Sequence, residues 1–325
     1  MRRLILKPIK IVLVGFIRVY FTARSWLPVW LFLNRKPRRL YRENQPILND
    51  VQKRIVKDLK GSGIAFVDLD ELFPGKDLLF IFQNYVKELC VNAGAKNKKT
   101  YLKYLWDIDP VIDFSNPFIK LAISSTVLDI VNSYLEMYAH FFTLTLNVTT
   151  PVKGGGVEAI ESQRWHRDPQ DRKIVKVLIY LSDVDEESGP FIYIPYSPYG
   201  LKWGSCFPQK PPIGCYPGDE KVLQVIHEKA IKICTAKAGT MIFCDTTGLH
   251  KGGYAISHER IMFTAGYESN SSAWPDQYKC GGEFENELNK IGASPAWRHA
   301  LAPNQNKFSA RLLNLYWRWR PRPKY

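Results

Sequence analysis

The spacing of apolar residues changes near position 140. Before it, they recur every three or four positions, the repeat of a helix that buries one face. Val51, Ile55 and Leu59 predict a helix over 49–60, ended by Gly61-Ser-Gly63. A short strand is predicted over 64–69, and helices over 78–92 and 117–138. Beyond 140 the apolar runs are shorter and rich in β-branched and aromatic residues. They fall at 141–148, 174–181, 191–194, 229–234, 240–244 and 260–267, with Gly, Pro, Asp and Asn between them. Short strands punctuated by turn residues predict a β-sandwich or barrel with helices around it. One long interval, 199–228, carries Trp203, Phe207, Pro211, Pro212 and Tyr216 between two strands. A loop of that length in a compact domain is a candidate substrate-selecting element.

Residues 1–42 follow neither pattern. They predict a basic, aromatic, amphipathic helical segment whose apolar run at 11–17 is stopped by Arg18 and whose second run, 25–34, contains Pro28. A spanning helix needs about 20 mostly apolar residues, and neither run reaches that. The segment fits a monotopic anchor, with Trp26 and Trp30 at an interface and Lys/Arg toward anionic headgroups. The competing reading is a helix packed on the body with its charges solvated. A mitochondrial-type leader shares the Arg-rich, acid-free character but is usually richer in Ser.

Charge divides the chain in the same places. Residues 1–42 hold eleven Lys/Arg and residues 311–325 five more, with no acid in either stretch, against a net charge of +14. The body, 43–310, is therefore slightly negative. The expected organisation is an N-terminal segment at 1–42, one catalytic domain at 43–310 and a basic aromatic tail at 311–325. A near-neutral body argues against a nucleic-acid groove and leaves an anionic membrane surface as the expected partner of the tails. The six cysteines show no C-x-x-C pair, and Gly154-Gly-Gly156 is not followed by Gly-Lys-Ser/Thr. Zinc ribbons, thioredoxin-like motifs and phosphate loops are thus not indicated. Scattered cysteines fit a reducing compartment, so a cytoplasmic location at the membrane periphery is expected.

The chemistry lies in three places. His166 and Asp168 are two residues apart, so on extended chain both point to one side and reach one metal ion. Asp245-Thr-Thr-Gly-Leu-His250 supplies a second imidazole just after the 240–244 strand. Two histidines and one carboxylate with an open face suit non-haem Fe(II). Arg260 opens the last strand, and a buried guanidinium there needs an anion, which it would grip through two parallel bonds.

His166-x-Asp168, His250 and Arg260, in this order, resemble the Fe(II)/2-oxoglutarate dioxygenases, and their surroundings resemble the phytanoyl-CoA dioxygenase family. The supporting segments are Trp165-His-Arg-Asp168, Tyr180-Leu-Ser-Asp183, Glu187-Ser-Gly189-Pro190, Ile194-Pro195 and Glu259-Arg260. The likeness covers about residues 50–270. It implies a mainly β, α+β fold with a double-stranded β-helix (jelly-roll, cupin-like) core. It also implies an iron held by His166, Asp168 and His250, and 2-oxoglutarate held by Arg260. The implied activity is dioxygen-dependent hydroxylation of an organic small molecule, lipid-like or amphiphilic in view of the tails. The related halogenases replace the carboxylate ligand by a small residue, so the presence of Asp168 favours hydroxylation. Two positions depart from the family pattern. Pro195-Tyr-Ser197-Pro stands where the family has a Pro-Gly-Ser-His loop, and Gly252 stands where it often has a hydroxyl residue. Asn147 is the candidate for the polar contact to 2-oxoglutarate that Gly252 does not make. The alternatives are a catalytically silent ligand-binding member at a membrane, a zinc hydrolase with the same ligands, and a His–Asp loop pair with no metal. His258 sits in a polar turn, and His140, His227 and His299 default to structural or surface roles. Lys176 alternates with Leu178 and Tyr180 on one face of its strand; of the two readings, a lysine pointing into the pocket and a sheet-edge lysine, the edge is the expected one.

Overall fold

The computed structural model describes residues 2–92, 96–99, 101–107, 109–152, 161–303 and 306–319. The glycine run at 154–156 and the basic tail beyond Trp319 lie outside them. Ten strands are described: β1 (Ile64–Asp68), β2 (Lys96–Lys99), β3 (Leu102–Tyr104), β4 (His140–Thr149), β5 (Val175–Tyr180), β6 (Phe191–Tyr193), β7 (Lys232–Cys234), β8 (Thr240–Asp245), β9 (His250–Gly252) and β10 (Arg260–Glu268). Seven form one antiparallel sheet in the order β1-β8-β5-β10-β4-β3-β2, and β7-β6-β9 form a second. The two sheets face each other across Ile64, Leu178, Tyr180, Ile242 and Cys244 of the first and Phe191, Tyr193 and Cys234 of the second. This is the double-stranded β-helix expected from the sequence.

Period-two alternation sorts the side chains of the large sheet. On β5, Val175, Val177 and Ile179 point outward into the main core, and on β10 Phe263, Ala265 and Tyr267 do the same. The helices close over that face: α4 (Asp50–Ser62), the short α5 (Leu69–Leu72), α6 (Leu78–Asn92), α7 (Pro117–Ala122) and α8 (Ser125–Leu135). Ile55, Leu59, Phe82, Phe118, Val127 and Val131 all enter the same buried cluster. Each such side chain contributes about 1.5–3 kcal/mol through burial. The helix expected over 117–138 is in fact two, because the Ser124 hydroxyl accepts from the Val127 amide and starts a new helix there.

The α4–β1 junction matters for the site. Asn49 and Gln52 form a reciprocal capping box at 2.9 Å in both directions. Gly63 then ends the helix at φ 83°, and a Cβ there would lie 2.5 Å from both Pro198 Cγ and Tyr193 Oη. Only glycine fits this turn, which brings Tyr196 N onto Ser62 O (2.7 Å) and Asp245 N onto Gly63 O (2.8 Å).

The N-terminal region folds as α1 (Arg2–Ser25), α2 (Leu27–Leu33) and α3 (Arg35–Glu43). Val14, Ile17 and Phe21 of α1 pack on Ala273 and Trp274 and on Leu313 and Tyr316 of the last helix. After α9 (Asp219–Val225), three further helices are found among the described residues: α10 (Phe284–Lys290), α11 (Pro295–Ala300) and α12 (Lys307–Trp319). Tyr20 and Ser309 hydroxyls lie 2.6 Å apart across the α1–α12 contact. Among the described residues no single helix is long and apolar enough to cross a membrane. Lys10–Ser25 and Leu27–Leu33 pass that test only together, bent by 76°.

Candidate metal centre

The segment carrying His166 runs beside β9 and extends the small sheet. His166 N donates to His250 O, and His250 N to His166 O, both at 3.0 Å. This reciprocal pair brings two imidazoles 84 residues apart in sequence to ring centroids 4.1 Å apart. Asp168 follows on the same side. One ligand atom from each of His166, Asp168 and His250 lies within 4.8 Å of the other two. His166 Nε2 is 3.9 Å and His250 Nε2 4.0 Å from the Asp168 carboxylate.

The imidazoles are pre-set as ligands. His166 Nδ1 is 2.8 Å from Arg164 O, and His250 Nδ1 is 3.0 Å from Gly248 O. Each Nδ1 therefore carries the proton and donates to a carbonyl, which leaves Nε2 as the nitrogen available to a metal. Burial and the neighbouring His166 push His250 down to about 3, so it is neutral. Burial alone would raise the Asp168 carboxyl, but Lys176 and the two histidines outweigh it and hold it well below the usual carboxylate range. Two imidazoles and one carboxylate fit a divalent iron. Ligands about 2.1 Å from an ion and at right angles are about 3 Å apart, so the three atoms would close by about 1 Å on binding.

Lys176 is not at a sheet edge. β5 is the middle strand of the first five, between β8 and β10, and Lys176 shares a face with Leu178 and Tyr180. Its ammonium lies 2.6 Å from Asp168 Oδ2. The edge reading failed because alternation gives the face of a side chain but not the place of its strand in the sheet.

Arg260 stands at the start of β10, buried, with Nη2 donating to Thr149 Oγ1 at 3.0 Å. Its Nε has no partner, and its other neighbours are the Tyr180 hydroxyl and the Cys234 thiol. Burial without a carboxylate lowers its proton affinity. The anion expected from the sequence therefore has a place but, among the described residues, no carboxylate side chain supplying it. Tyr180, pushed up to about 12 by burial, donates to Cys234 O at 2.9 Å and accepts from Phe191 N at 3.1 Å. Asn147 lies on the same face of β4 as Thr149, about 7 Å along the strand. Its Nδ2 donates to Thr145 Oγ1 at 3.2 Å, and its buried Oδ1 is unpartnered. At Gly252 the nearest atom to an added Cβ is Ser162 O at 3.6 Å, so room does not dictate glycine there.

Two framing residues lie outside the sequence-based set. Arg167, between the ligands, points the opposite way and is fully buried. It donates to the carbonyls of Ser197 (2.6 Å), Thr247 (2.5 Å), Cys206 (2.8 Å), Phe207 (3.0 Å) and Trp203 (3.1 Å). One guanidinium thus ties the ligand segment, the β8–β9 turn and the 199–228 loop together. The alternation that places His166 and Asp168 on one side already put Arg167 on the other. Gln209, from the same loop, donates to Asp168 O. Tyr216 stacks on the His166 ring at 5.9 Å, so the loop expected to select substrate lies against the ligands themselves. Asp245 is internal to the β8–β9 turn: it accepts from Tyr134 Oη (2.6 Å) and from Thr247 N (2.9 Å) and Oγ1 (2.7 Å). Ser197 accepts from Leu249 N at 2.7 Å and so fixes the residue before His250.

No protein-family model matches the chain, and no curated protein does. Solved structures do share the fold. EctD from S. alaskensis, determined with 2-oxoglutarate and 5-hydroxyectoine, is 17% identical, with 70% of this chain and 80% of that one aligned at a TM-score of 0.51. The same enzyme with bound Fe aligns over 74% and 86% at 0.50. The epimerase SnoN, in complex with Fe3+, alpha-ketoglutarate and nogalamycin RO, is 14% identical over 79% and 97% at 0.50. At such identities the likeness establishes the double-stranded β-helix fold.

Proposed function

We propose that the chain is a non-haem Fe(II)- and 2-oxoglutarate-dependent dioxygenase that hydroxylates an organic small molecule. The observation that carries this is the His166–Asp168–His250 cluster, one ligand atom of each within 4.8 Å of the others, with each imidazole oriented by an Nδ1–carbonyl contact. His166, Asp168 and His250 hold the metal. Arg260, its Nε unpartnered in a buried place, takes the distal carboxylate of 2-oxoglutarate, with Thr149 steadying the guanidinium and Asn147 offering a further polar contact. Iron with a 2-oxo acid and dioxygen supplies the oxidising power to hydroxylate an unreactive C–H bond. The protein's part is placement and dryness. Leu178, Tyr180, Phe191 and Ile242 wall the space between the sheets, and Tyr216 covers one imidazole. Retention of the Asp168 carboxylate supports hydroxylation over halogenation.

The chain's own test is spectroscopic. Anaerobic Fe(II) plus 2-oxoglutarate should give a weak metal-to-ligand charge-transfer band, lost in His166→Ala. A featureless spectrum from the wild-type protein would reject the reading. A screen for substrate-stimulated succinate formation then identifies the substrate.

A second reading is a catalytically silent ligand-binding member of the same fold. The Lys176–Asp168 ion pair favours it, because an ammonium 2.6 Å from the carboxylate already balances its charge. Under that reading Fe(II) does not displace Lys176, and metal titration leaves the melting temperature unchanged.

A further inference from the structure

We propose that the outer face of α1 and α2 docks on an anionic lipid bilayer and that the groove beside it takes the apolar tail of an amphiphile. The second half bears on substrate class and rests on the dioxygenase reading; the docking half does not.

Helix α1 has two apolar faces, and only one is used inside the protein. Val14, Ile17 and Phe21 are buried against the body. Val12, Phe16, Val19 and Trp26 are 71%, 55%, 68% and 65% exposed. They recur at helical spacing along one side of α1 and pass into Leu27 and Phe32 of α2, which are also exposed. A run of large apolar residues of this extent marks an interaction surface rather than ordinary surface scatter.

Charge selects the occupant. The apolar face lies within the acid-free 1–42 stretch with its eleven Lys/Arg. The α1–α12 contact brings Arg311 and Arg318 of α12 beside the same N-terminal region. An apolar face with an exposed tryptophan in an acid-free, Lys/Arg-rich segment is complementary to anionic headgroups over acyl chains. The 76° bend between α1 and α2 is incompatible with a straight span.

The groove joins that face to the iron side. Its volume is ≈ 740 Å³, and Val19 and Ala23 of α1 with Trp26 at the α1–α2 junction form one wall while Tyr199 and Pro211 of the 199–228 loop form the other. Arg172, which also lines it, offers a cation to an anionic headgroup. Gln209, at its edge, is the residue whose amide holds the carbonyl of Asp168. A chain lying in the groove therefore rests against the loop that wraps the metal ligands.

Flotation of the full-length protein with phosphatidylcholine vesicles, with and without about one-third phosphatidylglycerol, tests the surface. The expected result is flotation with the anionic vesicles only, weakened by salt and reduced about tenfold or more in Phe16→Glu/Val19→Glu. Absence of wild-type flotation, equal flotation without anionic lipid, or an undiminished double variant would overturn the docking. A dansyl-labelled undecanoic acid tests the groove. Ala23→Trp should abolish the enhanced dansyl emission while leaving flotation and the Fe(II)/2-oxoglutarate band intact. Unchanged emission in that variant, or none from the wild type, would overturn the groove. The charge-transfer band, read in every sample, reports the iron reading separately, so its absence with flotation intact rejects the dioxygenase and not the docking.

Discussion

The two faces of the large sheet are made from alternate residues of the same strands, and they are built to opposite ends. Outward, Val175, Val177 and Ile179 of β5 and Phe263, Ala265 and Tyr267 of β10 meet helices in a dry core. Inward, the same strands present Lys176 and Arg260, with Asn147 and Thr149 from β4 beside them. The outer face lowers the free energy of the fold. The inner face buries charges and unpartnered polar atoms, each of which costs stability unless a partner is supplied. The difference teaches where function sits: on the side of the sheet where local packing is least favourable and a metal and a dicarboxylate would complete it.

That contrast can be broken from either side. The largest effect is expected on the inner face. His250→Ala should cut turnover by about three orders of magnitude or more while leaving the fold intact, measured as succinate formation against melting temperature. A comparable loss of stability would mean that the imidazole is a structural core group. On the outer face, Phe263→Ala should cost about 3–5 kcal/mol of stability through the cavity it leaves, measured by urea unfolding. Its activity per folded molecule should stay near wild type. Arg260→Lys should weaken 2-oxoglutarate by about 10- to 100-fold, because an ammonium cannot make the paired bonds of a guanidinium, and kcat should change less than KM. An unchanged KM would remove Arg260 from the co-substrate site.

The effect most diagnostic of burial is on pH dependence. In the metal-free chain His250 takes a proton at about 3 when folded, against 6.5 for an ordinary imidazole. Between those values the unfolded chain binds the extra proton, so stability falls as pH drops through that window, by up to about 1.4 kcal/mol per pH unit. The depressed Asp168 carboxyl works in the same direction further into acid, since its contribution is present above the ordinary carboxylate range and is lost below it. Unfolding curves at successive pH values should show the slope, and His250→Asn should flatten it.

Much of the fold is legible in the pattern of residues. The helix at 49–60 appears as α4, the strands expected at 141–148 and 260–267 appear as β4 and β10, and the 174–181 run appears as β5. The helix expected over 117–138 is split because a side-chain cap outweighs helical periodicity at Ser124. Helices α10 and α11 escaped because they are short, and their apolar positions are few. At the site, His166, Asp168 and His250 were legible from spacing, and the structure brings them together. Arg167 was not singled out, although strand alternation placed it.

By itself the sequence determined which residues share a face, since a period of two or 3.6 is a property of the local backbone. It also determined that positive charge gathers at the two ends of the chain. Only the tertiary structure decided that Lys176 sits mid-sheet against Asp168, that Arg167 collects five carbonyls from three separate segments, and that α1 lies beside α12 with an apolar stripe left outside. Those facts depend on strand order and on contacts between residues far apart in sequence. They are fixed by how the whole chain buries its surface, and no local period encodes that.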